Sequence, residues 1–295
     1  MRLAKILGAI GRTMITAGVL ILLFVVYQLY GTGIREAQAQ DRLGKQLDQK
    51  LAQVTSTTST STPGTTPPST APPLAEAPKE GDALGRIEIA KIGLEAVVVE
   101  GVNVDDLKDG PGHYPHTPLP GQTGNAAIAG HRTTYGAPFA SIDELAVGDP
   151  IVITTVQGRF TYDVIPQADG SAHSIVSPSH VEVLDNAGDN RITLTACHPK
   201  YSASQRIIVN AVLQGEALPA TPASDSPDVA GLSGKQAPKL PAILWALVCA
   251  VIWVAAWLVG RAWRKWPPYF IGFPIFIVAL FFFFENFSRL LPSNY

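Results

Sequence analysis

Two apolar runs bracket this chain and leave only its middle for a folded domain. The first, Met14 to Tyr30, is almost wholly apolar and is preceded by Arg2, Lys5 and Arg12. The second, Ala242 to Gly260, is nineteen residues long, enough to cross the hydrocarbon core of a bilayer. Arg261, Arg264 and Lys265 follow it at once. Basic flanks favour the cytoplasmic side, so both ends agree that everything between the runs faces outward. No small-x-small cleavage site directly follows the first run, which therefore reads as an uncleaved anchor rather than a removed signal peptide. Trp253, Trp257, Trp263 and Trp266 crowd the inner boundary, as interfacial aromatics do. A third run, Tyr269 to Phe284, contains Pro274, ends at Glu285 and is short for a full span. It either crosses back or is re-entrant. A lipid bilayer is thus the first expected partner, while a net charge of −2 offers no basic field for nucleic acid.

These boundaries divide the chain into a basic cytoplasmic start (1–13), an anchor (14–30), a juxtamembrane segment with linker (31–84) and a folded domain (85–214). A second linker (215–241), a membrane helix (242–260), a cytoplasmic loop (261–268) and a third membrane segment (269–284) complete it. Thr55 to Pro78 is dominated by Ser, Thr and Pro, a composition that cannot bury a core and favours extended chain. Ile34 to Val54, just before it, has helical character.

The domain itself patterns as all-β. Short apolar runs alternate with Gly, Pro, Asn and Asp clusters, as in a barrel or sandwich. Expected strands are Gly85–Ile89, Ala96–Glu100, Asn125–Gly130, Pro150–Thr155, Gly158–Ile165, His180–Leu184, Arg191–Cys197 and Arg206–Leu213. Gln157-Gly158 reads as a hairpin turn. Pro138–Leu145 reads as a short helix with Phe139, Ile142 and Leu145 on one face.

Three residues carry potential chemistry. In Ile192-Thr193-Leu194-Thr195-Ala196-Cys197, period two sets Thr193, Thr195 and Cys197 on one face, opposite Ile192 and Leu194. The other cysteine, Cys249, lies inside an apolar run, so Cys197 is expected to be a free thiol in an outward-facing domain. Eight residues separate Cys197 from Arg206. If their strands pair antiparallel, thiol and guanidinium are neighbours, and an arginine can favour a thiolate or an oxyanion. His131 ends the small apolar strand Asn125–Gly130, where a neutral imidazole can act as base and then acid. Each has a plainer structural reading too: a buried cysteine, a solvated edge arginine, a strand-end histidine.

Taken together, Ala129-Gly130-His131-Arg132, Thr193-Leu194-Thr195-Ala196-Cys197 and Arg206 resemble the His, Cys and Arg constellation of sortases. Gly110-Pro111-Gly112-His113-Tyr114-Pro115, the run His131 to Phe139 and Tyr201-Ser202-Ala203 resemble the class E sortases of actinobacteria. The resemblance implies an eight-stranded β-barrel, so the expected fold is all-β, a sortase-type barrel with short helices, flanked by the transmembrane helices read from the apolar runs. It implies that Cys197 attacks the Thr–Gly bond of a C-terminal sorting signal, LAxTG- or LPxTG-like, on surface proteins. His131 would protonate the leaving amine and Arg206 would hold substrate and oxyanion. A cell-wall (peptidoglycan) precursor amine would then resolve the thioacyl-enzyme. Tyr114 is carried over as a residue of signal specificity, and Thr195, on the face of Cys197, is assigned with it to substrate binding. No metal and no cofactor is implied.

Two positions depart from the family pattern. Ala196 stands where Thr usually precedes the cysteine, and His198 is an uncommon follower. Strand alternation turns Ala196 away from Cys197. His113 and His116 are separated by a proline-containing step and lack an evident third ligand, so a zinc site is disfavoured. Asp105, Asp106 and Asp109 read as a solvated cluster rather than a calcium site. The rival functions are a hydrolytic cysteine protease of the same topology, a pilin-polymerising sortase, and a non-catalytic surface module. The second usually carries an Asp-Pro-aromatic lid, which the stretch from Leu74 to Arg86 lacks.

Overall fold

The structure, a computed structural model, describes residues 2–58, 78–221, 238–263, 267–288 and 290. Most of both expected linkers, and Arg264 to Trp266 of the expected cytoplasmic loop, lie outside the described residues. The helices are α1 (Arg2–Val26), α2 (Thr32–Thr58), α3 (Leu240–Trp263) and α4 (Pro267–Ser288). The strands are β1 (Ala83–Ile89), β2 (Leu94–Glu100), β3 (Gly112–His113), β4 (Asn125–Gly130), β5 (Pro150–Thr155), β6 (Gly158–Val164), β7 (Ser174–Val176), β8 (Arg191–His198) and β9 (Gln205–Leu213).

By internal contacts the chain forms two units, one of the terminal helices and one running from Gly33 to Lys235. In the first, a π-helical turn at Tyr27–Gly31 ends α1. Phe24 and Tyr27 pack with Cys249, Ala279, Leu280 and Phe284 of α3 and α4. Two described helices, over Ile6–Val54 and Leu240–Arg261, are long and apolar enough to cross a membrane. The apolar stretch Gly272–Ser288 is shorter.

The second unit is a barrel. Alternate residues of the long strands are aliphatic, mostly β-branched, and these turn inward: Ile87 and Ile89, Ala126 and Ile128, Ile151 and Ile153, Ile192 and Leu194, Ile207 and Val209. Each fully buried isoleucine contributes about 1.5–3 kcal/mol of transfer free energy. The strand order is β6-β5-β1-β2-β3-β4-β8-β9, and β6 then pairs with β9 to close a ring of eight, with β7 added outside β9. Closure leaves no open edge within the ring.

The eight strands of the ring are not the eight expected from the sequence. His180–Leu184 is not a strand but a 3-10 turn over Val181–Leu184. Val181 and Val183 mimic a period of two, yet Val181 is exposed while Val183 and Leu184 lean on the outer apolar cluster. Its place in the ring is taken by β3, two residues that bridge β2 in parallel and β4 in antiparallel pairing. No side-chain periodicity can announce so short a strand. The tight turn between β5 and β6 is Val156-Gln157, since Thr155 pairs with Gly158. The helix expected at Pro138–Leu145 is reduced to a 3-10 turn at Ile142–Glu144, though Phe139, Ile142 and Leu145 are all buried as its pattern required.

The juxtamembrane segment is helical, and from Gly33 onward α2 packs on the barrel. Leu43 and Leu47, one turn apart and fully buried, lie on Ala83, Val97 and Val99. The Gln40 amide closes two hydrogen bonds with the Val97 backbone, at 2.7 and 3.0 Å, and donates a third to the Asp109 carbonyl.

Candidate active site

The register of three strands brings the expected residues together. β4 runs parallel to β8 with Ala129 opposite Thr195 and Gly130 opposite Ala196. His131 therefore leaves β4 level with Cys197. β8 runs antiparallel to β9 with Cys197 directly opposite Arg206. Ile192, Leu194 and Ala196 belong to the interior, so Thr193, Thr195 and Cys197 occupy the outer face of the wall. Ala196 is buried in the core, which removes its side chain from the thiol.

The outer face is covered rather than solvated. Thr193 donates to Asn125 Oδ1 at 2.7 Å, and Thr195 shares a 3.2 Å hydrogen bond with the Tyr114 hydroxyl. Tyr114 is itself buried and packs with Leu107, Ala127 and Ala129. Its backbone N–H donates to Ala127 O. The turn that delivers it is anchored by its neighbour: His113 Nδ1 lies 2.8 Å from Glu100 Oε2, and Nε2 lies 3.0 Å from the Pro118 carbonyl. Burial works against a charge on His113, but the Glu100 carboxylate and both hydrogen bonds outweigh it and raise its pKa. Both nitrogens of His113 are thus engaged within the protein.

The electrostatics favour a neutral resting pair. Burial pushes the Cys197 thiol up, against the pull of Arg206 and Arg132. Burial, together with the charge of Lys108, pushes His131 down to about 4. His131 Nε2 is buried and has no hydrogen-bond partner. Arg206 is only 4% exposed, and its Nη1 donates to the carbonyls of Ala203 and Gln205 at 3.0 Å each. The loop between β8 and β9 thus holds the guanidinium beside the thiol. Neither Cys197 nor Cys249 is in a disulfide.

Three further residues stand at this site without having been assigned a role from the sequence. Arg132 is buried, gives Nη2 to Asp143, and keeps an unpartnered, buried Nε. Lys108 is fully buried and reaches Asp105 at 2.9 Å. Tyr135 lays its ring against His131. Lys108 sits in a run of aspartates that reads as solvated, and nothing in that pattern signals its burial. Asp106 departs from that reading as well: it is buried, and desolvation and then Glu80 raise it to about 7.

Residues 87–214 match the sortase domain model. Over 216 residues the chain is 33% identical to Sortase SrtE1 of Streptomyces coelicolor, an alignment covering 68% of this chain and 55% of that protein. It is 28% identical to Sortase SrtE2 of the same organism, covering 70% of this chain and 81% of that one. The solved structure of sortase E from Streptomyces avermitilis shares 36% identity over 46% of this chain and 91% of its own, with a TM-score of 0.41. The chain spans 55% and 58% of the lengths of SrtE1 and of Sortase D of Bacillus subtilis. The chain belongs to the sortase family, whose members are cysteine transpeptidases. Its similarity to SrtE1 and SrtE2 makes it a class E-like sortase.

Proposed function

We propose that this protein is a membrane-anchored sortase that cuts an LAxTG- or LPxTG-like C-terminal sorting signal between Thr and Gly and transfers the protein to a cell-wall amine. The observation that carries the reading is the register that sets Cys197 opposite Arg206 with His131 leaving the adjacent strand at the same level. Cys197 sulfur attacks the Thr carbonyl while its proton passes to His131. The imidazolium returns that proton to the leaving glycine amine, and a thioester remains on Cys197. The incoming amine then expels the thiolate, again with His131 moving the proton. Arg206 faces the oxygen on which negative charge develops, and a fixed guanidinium in a dry site serves that charge well. Tyr114 and the Thr195 it binds line the same face and contact the signal. The flanking apolar helices hold the domain on the outer side of the membrane.

The test is to incubate the full chain, in detergent or lipid discs, with a sorting-signal peptide, with and without an amine acceptor, and to weigh the products. Amine-capped peptide ending at Thr is expected. Peptide cut only by water, even at high amine concentration, establishes the hydrolytic protease instead.

A further inference from the structure

The segment that leaves the active site after His131 is held in an unusual backbone. Tyr135, Gly136 and Ala137 follow one another at φ +50°, +71° and +47°. Left-handed conformation is disfavoured for a tyrosine or an alanine, and it persists where the surroundings over-determine it. Here they do. Ala137 N–H donates to Thr134 O at 2.9 Å and Phe139 N–H to His131 O at 3.0 Å. Phe139 fills the place of a side chain at Gly130, where a Cβ would fall 2.5 Å from its ring. The Glu36 carboxyl group of α2 fills the place of one at Gly136, where a Cβ would fall 2.6 Å from it.

The product of this arrangement is the placement of one ring. Tyr135 is 1% exposed, and its ring centroid lies 5.3 Å from that of His131 at an interplanar angle of 39°. Yet Tyr135 belongs to none of the apolar clusters of the domain among the described residues. The ring contact it makes is with the imidazole of His131. Burial and Lys108 both oppose a charged His131, whereas the electron-rich face of an aromatic ring attracts a cation within about 6 Å.

We propose that Tyr135 is a positioning residue for His131, its ring holding the imidazole level with Cys197 and stabilising the imidazolium that exists between proton uptake from the thiol and proton delivery to the leaving amine. The proposal rests on the reading of His131 as the acid and base of the transfer. It adds no bond to the reaction. It concerns the state in which the proton is in transit.

The experiment compares the full chain with Tyr135→Asn and Tyr135→Phe in single-turnover acylation by a sorting-signal peptide. Asparagine tolerates the left-handed backbone while removing the ring. The asparagine variant should acylate about ten- to thirtyfold more slowly at unchanged peptide KM, and the phenylalanine variant should stay within about threefold of the parent. Tyr135→Leu, which keeps an apolar side chain in the buried position, should show the same loss and stands in if the asparagine variant does not fold. Acylation within about twofold of the parent in the asparagine or leucine variant, or an equal loss in Tyr135→Phe, overturns the role of the ring. Failure of the unmodified chain to acylate overturns the transpeptidase reading itself, and this inference with it.

Discussion

The two faces of one wall, formed by β4, β8 and β9, obey different rules. Inward, Ala126, Ile128, Ile192, Leu194, Ala196, Ile207 and Val209 are apolar and satisfied by contact alone. Outward, Thr193, Thr195, Cys197 and Arg206 are nearly as enclosed, with the first two and Arg206 no more than 4% exposed, but each polar group there needs a partner. The difference teaches that burial does not mark the core of this domain. The outer face is a second interior, roofed by the Tyr114 turn and the His131 loop. Its polar atoms are arranged to leave some unmet, among them His131 Nε2 and Arg132 Nε. A buried polar group without a partner is costly, and such groups collect where a substrate or a proton will meet them.

Substitutions on the two faces should therefore fail in different assays. Cys197→Ala, on the outer face, should abolish transfer in a peptide assay while leaving the melting temperature near that of the parent, because one small group replaces another. Arg206→Lys keeps the charge but loses the planar fork, and kcat/KM should fall by about 10²–10³. Full activity in Arg206→Lys would show that charge alone suffices there. Glu100→Gln leaves His113 buried without its counter-charge and should cost about 3–5 kcal/mol in denaturant unfolding.

That pair also sets a pH dependence. The folded pKa of His113 is raised, so its stabilisation is complete below the unfolded value of about 6.5 and is lost as pH rises through the folded value. Unfolding of the parent followed upward from pH 6 should show this loss, and Glu100→Gln should flatten it. On the inner face, Leu194→Ala should cost about 2–5 kcal/mol of stability with little change in kcat/KM per folded molecule. The smallest effect is expected from Thr195→Val. It removes one hydrogen bond to Tyr114, worth about 0.5–1.5 kcal/mol, and should alter the preference between LAxTG and LPxTG peptides more than it alters stability. An unchanged preference would separate Tyr114 from signal reading.

Much of this contrast was legible in the chain. Period two in Ile192 to Cys197 assigned the thiol to the face opposite Ile192 and Leu194, and the short connection to Arg206 foretold an antiparallel neighbour. Short apolar runs between turn residues located seven of the eight ring strands. What was not legible depends on the backbone or on distant segments. β3 is too short to have a pattern. Val181–Leu184 has the composition of a strand and, among the described residues, no partner strand to make it one. Lys108 and Asp106 look solvated in a run of aspartates and become buried only because that loop folds beside Ala129 and His131.

The sequence by itself determined the local alternatives: which residues could face a core, which stretches are long and apolar, and which three side chains could share one chemistry. It could do so because alternation and hydropathy are properties of adjacent residues. The tertiary structure alone decided that β4 lies beside β8 so that His131 is level with Cys197 and Arg206, and that Tyr135 lies on its ring. Those facts are set by strand register, barrel closure and a left-handed turn braced by Phe139 and Glu36. The β4–β8 register, barrel closure and the Glu36 brace join segments tens of residues apart, and no local pattern encodes the free energy of joining them.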